Sequence, residues 1–121
     1  MGRIDAHCHF WNPARRDYGW LDRAGPTLQR VFAPSDLAAL NGAAQVVAVQ
    51  AAPTEAETDY LLGLDHPMIA GVVGWVDMTD PQAVARLETR AANPAFKGIR
   101  PMLQDIADTD WIVTAPRRDI L

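Results

Sequence analysis

Short apolar runs set between helical patterns constrain the fold of this chain more than any other feature. Val46-Val47-Ala48-Val49 and Ala70-Gly71-Val72-Val73-Gly74-Trp75-Val76 are β-rich and free of charge, and Lys97–Leu103 reads as a shorter strand of the same kind. Runs of this sort are expected of strands buried on both faces, which belong to parallel sheets covered by helices. Helix signals lie between them. Pro34-Ser35-Asp36 predicts a helix start with Ser35 as N-cap, running through Leu37 and Leu40 to Asn41-Gly42. Thr54 and Glu57 have capping-box spacing ahead of Tyr60, Leu61, Leu62 and Leu64. Asp80-Pro81 opens a third helix, with aspartate as cap and proline at the first helical position, and Asn93-Pro94 closes it. A further helix is expected to begin at Pro116.

A strand comes first, Ile4-Asp5-Ala6-His7-Cys8-His9-Phe10-Trp11. Strict alternation puts Asp5, His7, His9 and Trp11 on one face and Ile4, Ala6, Cys8 and Phe10 on the other. Two imidazoles two residues apart can direct nitrogens at one metal ion or one oxyanion, so His7 and His9 are the leading site residues. Asp5 shares their face and reads as an acceptor orienting a histidine. Cys8 points the other way and reads as a packed core thiol. From Asn12 to Pro34 the chain loses periodicity but holds Arg15, Arg16, Tyr18, Trp20 and Arg23. A loop this long is more often functional than idle. It suits a lid over a polar substrate, and equally suits a segment anchored to the wall by Tyr18 and Trp20.

The order β-loop-α-β-α-β-α-β implies a parallel sheet built by right-handed crossovers. A doubly wound sheet and a (β/α)₈ barrel both fit. No Gly-x-Gly-x-x-Gly turn follows the first strand, which weighs against a dinucleotide fold. Polar residues at the C-terminal ends of strands, Gln50 and Arg100 among them, favour the barrel. A complete barrel takes about 250 residues. The 121 residues here supply four parallel strands and three intervening helices. The expectation is an α/β fold, the N-terminal half of a TIM barrel, with residues 1–121 as a partial domain.

Net charge is −4, which excludes the basic footprint of a nucleic-acid binder, and no apolar run is long enough to span a membrane. The start of the chain lacks a signal-peptide pattern, and the one cysteine permits no internal disulfide. Both suit a cytoplasmic protein.

The opening Ile4–Trp11 stretch resembles the first strand of the amidohydrolase superfamily, which carries a His-x-His pair there. Asp17-Tyr18-Gly19-Trp20-Leu21, Val49-Gln50-Ala51-Ala52-Pro53, Gly71–Asp77 and Phe96-Lys97-Gly98-Ile99-Arg100 resemble its amidohydrolase-2 branch of sugar and pyrone-dicarboxylate lactonases, in the same order. The resemblance implies a hydrolase that opens a lactone ring with water, with a sugar-acid lactone as the expected substrate. It implies that His7 and His9 are catalytic and, in metal-dependent members, bind a divalent ion, usually zinc. In members that work without a metal, the same histidines polarise the carbonyl and a later aspartate is the base. Arg100, Gln50 and Trp11 match positions expected to contact a small lactone or carboxylate substrate. The family also draws histidines from the middle strands and an aspartate from the last. His66, in a helix-to-strand connection, does not substitute for them. Residues 1–121 alone are therefore expected to be inert, with the open sheet edges covered in a homo-oligomer or by a complementary C-terminal half. A metal-dependent decarboxylase and a non-catalytic assembly fragment are the alternatives.

Overall fold

The apolar runs form the strands. In the computed structural model, which describes residues 2–41 and 44–120, β1 (Ile4–Cys8), β2 (Gln45–Val49), β3 (Ile69–Gly74) and β4 (Phe96–Ile99) make one sheet. All pairings are parallel and the order is β1-β2-β3-β4. A doubly wound sheet reverses its strand order at a switch point. Sequential order without reversal is that of a (β/α)₈ barrel, here its N-terminal half. Three helices supply the crossovers: α1 (Pro34–Asn41), α2 (Glu55–Leu62) and α3 (Ala83–Ala91). A short α4 (Trp111–Thr114) follows β4.

Several boundaries differ from expectation, each for a local reason. Helix α1 starts at Pro34, one residue before the expected cap, because the Asp36 carboxylate accepts the Ala33 N–H at 2.8 Å. The expected stop at Gly42 lies outside the described residues. Asp80 does not cap α3 directly: its carboxylate accepts the Gln82 N–H at 2.8 Å, making a turn that delays the helix to Ala83. The last helix sits at Trp111–Thr114 and not at Pro116. The first strand ends at Cys8, and Trp11 instead makes an antiparallel bridge with Phe32. Between Asp5 and Cys8, β1 also gains one residue on β2, a bulge of the kind that re-aims side chains beside functional sites.

The principal core lies between the sheet and α1 and α2. Phe10, Val46, Ala48, Leu61, Met68 and Val72 are buried together, with Cys8 packed against them as expected. Burial, then the nearby Asp5 carboxylate, raises the Cys8 thiol pKa, which suits a core thiol and not a nucleophile. Helix α2 meets β3 closely at Gly74. Thr58 is fully buried there, and its Oγ accepts the Trp75 N–H at 2.8 Å. A Cβ on Gly74 would collide with the Thr58 methyl and lie 2.7 Å from its Oγ. Both neighbours are fixed, so Gly74→Ala is expected to cost about 1–3 kcal/mol. The urea midpoint reads this loss, and Thr58→Ala in the same chain should recover part of it.

Candidate active site at the C-terminal ends of the strands

Because the strands are parallel, the first residues beyond them gather at one end of the sheet. They are His9 after β1, Gln50 after β2, Trp75 after β3 and Arg100 after β4. His9 is fixed from behind: its Nδ1 lies 2.8 Å from the Val49 carbonyl. A carbonyl only accepts, so Nδ1 carries the hydrogen and Nε2 presents a lone pair. That Nε2 is 3.1 Å from His7 Nε2, with the rings edge to face at 4.8 Å between centroids. Burial, and then the neighbouring Arg100 and His7, lower the His9 pKa below 6.5, against a pull upward from the Val49 carbonyl. At neutral pH His9 is an uncharged imidazole. His7 is exposed beside it.

Two Nε2 atoms converging in this way suit a shared cation. Nitrogens about 2.0–2.1 Å from a tetrahedral zinc lie roughly 3.3 Å apart, close to the separation here. A catalytic zinc takes three protein ligands. Among the described residues no group of three His, Cys, Asp or Glu side chains could hold an ion. The pair fits as two ligands and does not complete a set.

Beside His9 opens a pocket of about 390 Å³, lined by Trp11, Trp20, Arg100, Met102 and Asp105 among others. Its aromatic wall is well fixed. Trp11 and Trp20 meet edge to face at 5.4 Å. The Trp20 indole donates to the Ala51 carbonyl at 2.8 Å, and the Trp11 indole to the Leu28 carbonyl at 3.0 Å. Arg100 is held by Gln50. Its Nη2 donates to the Gln50 backbone carbonyl at 2.8 Å and side-chain oxygen at 3.3 Å, while the Gln50 amide donates to the Arg100 carbonyl at 2.7 Å. Gln50 is fully buried and meets the pocket only through Arg100.

Asp5, His66 and Asp77 have structural employment. The Asp5 carboxylate accepts the His7 backbone N–H at 3.0 Å and reaches no imidazole ring in doing so. His66 accepts the Met68 N–H at 3.2 Å, away from the pocket. Asp77 takes both the Thr79 hydroxyl and N–H, which lower its pKa. Among the polar lining residues, Gln104 was not singled out, and Asp105 reads as part of a solvated acidic loop with a minor substrate-facing role open to it. Their only signal is position, directly after β4 at the same end as Arg100.

A family model described as Amidohydrolase matches residues 4–113. The chain belongs to the amidohydrolase-2 family. It is 46% identical over 115 residues to an L-fucono-1,5-lactonase of Burkholderia ambifaria, covering 91% of this chain and 40% of that protein. It is 40% identical over 112 residues to an L-fucono-1,5-lactonase of Burkholderia multivorans, covering 88% and 37%. An amidohydrolase of Burkholderia multivorans has been solved in two crystal forms, one with HEPES and one with zinc. They superpose on this chain with TM-scores of 0.79 and 0.75 at 36% identity, covering 93% of this chain and 41% of that one. The chain thus spans about 40% of the length of the curated relatives it matches.

Proposed function

We propose that this chain carries the His-x-His portion of a site that opens sugar-acid lactones with water. The observation that carries the reading is the convergence of His7 and His9 through Nε2, with His9 lining a pocket and its tautomer set by the Val49 carbonyl. In this reading His7 supplies the N–H that polarises the lactone carbonyl, the neutral His9 holds its Nε2 lone pair toward the reacting centre, and Arg100 binds a substrate hydroxyl or the carboxylate that ring opening forms. Gln50 acts by orienting Arg100. A divalent metal, if bound, would be held in part by His7 and His9 and would supply a water acidified to a pKa of about 7.

The lining supports the choice of substrate class. Trp11 and Trp20 supply apolar surface suited to the C–H groups of a sugar ring, and Asp105 and Gln104 supply acceptors for its hydroxyls. Arg100 and Asp105 give the pocket one charge of each sign, which suits a neutral polyol lactone better than a dicarboxylate. The relatives named L-fucono-1,5-lactonase support that choice.

The general base is assigned to residues outside this chain, so residues 1–121 by themselves are read as inert. Strands β1 and β4 each have one neighbour in the sheet, and Ile4 on β1 is 56% exposed. Such edges invite strand pairing. A complementary C-terminal half is the reading adopted for what covers them, and a second copy is the other outcome of a size measurement.

The test is the pH profile of lactone opening by the assembled enzyme. Because burial keeps His9 neutral, the acid limb of kcat/KM is expected below pH 6.5, the ordinary histidine value. An acid limb above pH 7 would contradict a neutral His9 as the working form.

A further inference from the structure

Glu57 sits at capping-box spacing from Thr54, but only half of that box forms. The Thr54 hydroxyl accepts the Glu57 N–H at 3.1 Å. The Glu57 carboxyl does not turn back to Thr54. It is fully buried, and its Oε1 accepts the Ala51 N–H at 3.2 Å. Ala51 lines the pocket, and its carbonyl takes the Trp20 indole. Both sides of one residue's backbone are therefore committed, the N–H to Glu57 and the carbonyl to the aromatic wall.

A second tie runs beside the first. Asp17, in the long loop, accepts from the Thr54 hydroxyl at 2.7 Å and from Arg15 at 2.8 Å with the same Oδ2. Between the two ties, Tyr18 and Leu21 are buried against Ala51 and Ala52, with Trp11 and Trp20 packed on them. Asp17 Oδ1, Glu57 Oε2, the Tyr18 hydroxyl and Arg15 Nε are buried without a hydrogen-bond partner. Buried polar groups are costly, and apolar residues would hold a merely structural corner more cheaply. A fully buried Glu57 beside a half-buried Asp17 points to placement.

We propose that Glu57 and Asp17 are positioning residues that clasp the loop 12–33 onto the end of β2 and so set the Trp11–Trp20 wall of the pocket. The wall's role toward substrate rests on the lactonase reading; its placement does not. Glu57 is faced by Ala51 and Ala52 from the β2 end, by Asp17, Arg15 and Tyr18 from the loop, and by Tyr60 of its own helix, whose ring lies under Arg15. Burial first, and then Asp17, push the Glu57 pKa up to about 7, against the Ala51 hydrogen bond and Arg15. A carboxyl raised in this way binds its proton more tightly folded than unfolded. Its contribution is therefore fully present below the ordinary value of 4.5 and is lost as pH rises through about 7.

The test is hydrogen exchange of the Trp20 indole N–H, followed by NMR in the full chain, for Glu57→Leu, Glu57→Gln and Asp17→Ala. Glutamine keeps the acceptor for Ala51; leucine fills the space without one. Glu57→Leu and Asp17→Ala are expected to speed Trp20 exchange about tenfold, the loss of roughly one hydrogen bond, with the Val46 and Val72 amides unchanged. Glu57→Gln is expected to restore protection and remove its dependence on pH between 5 and 7.5. In the assembled enzyme, leucine should raise KM several-fold with kcat nearly unchanged. Unchanged Trp20 exchange in Glu57→Leu and Asp17→Ala would overturn the proposal. Loss of Val46 and Val72 protection in parallel, without rescue by glutamine, would also overturn it, as a general destabilisation. Altered Trp20 exchange, with an assembled enzyme that opens no lactone, would keep the clasp and sink the lactonase reading.

Discussion

His9→Ala in the assembled enzyme is expected to lower kcat/KM for a sugar-acid 1,5-lactone by about 10²–10⁴-fold, the range for loss of a positioned acid–base group. His9 is the better placed of the two histidines. Its ring is pinned to Val49, its Nε2 meets His7, and it lines the pocket. His7→Ala should cost a similar factor, because either change leaves a single nitrogen where two converge. Residues that act as a unit are strongly non-additive. The double variant should accordingly lose little more than either single one. Steady-state rates for the four proteins check this. Losses that multiply would mean that the histidines work separately.

Phe10→Ala is expected to destabilise the fold by about 3–5 kcal/mol, the cost of emptying a fully packed aromatic site. Phe10 is 2% exposed and packs with Val46, Leu61 and Val72 in the principal core. It is also the residue between His9 and Trp11. The side chain that holds this segment to the core thus holds two pocket residues in place. Chemical denaturation should show the midpoint fall with little change in slope. A loss under 1 kcal/mol would mean that the core beneath the site collapses readily, and that His9 is held by Val49 alone.

Much of this was readable in advance. The apolar runs at Val46–Val49 and Val72–Val73 require burial on both faces, and the parallel sheet follows from the helices between them. His7 and His9 could be picked out because two adjacent inward positions rarely go to imidazole. Helix starts were less legible, since a carboxylate can cap either the helix or the turn ahead of it. Asp36 does the first and Asp80 the second, and spacing along the chain does not distinguish them. Glu57 was hidden more deeply. Its spacing from Thr54 announces a capping box, whereas its carboxyl serves an N–H six residues earlier that only the folded β2–α2 corner brings within reach. Gln50 shows the same limit: a polar residue ending an apolar strand marks a site, but not that its amide is spent on Arg100. Asp105 was obscured by the acidic loop around it.

The most direct measurement replaces the matching segment of the Burkholderia ambifaria L-fucono-1,5-lactonase, 46% identical here, with this chain. Acid release from L-fucono-1,5-lactone is then followed with His7 and His9 present and with both changed to alanine. Saturable release well above the spontaneous rate, abolished in the double variant, is the predicted result. A folded chimera that opens the lactone equally well without the two histidines would contradict the account, as would one that never exceeds spontaneous hydrolysis.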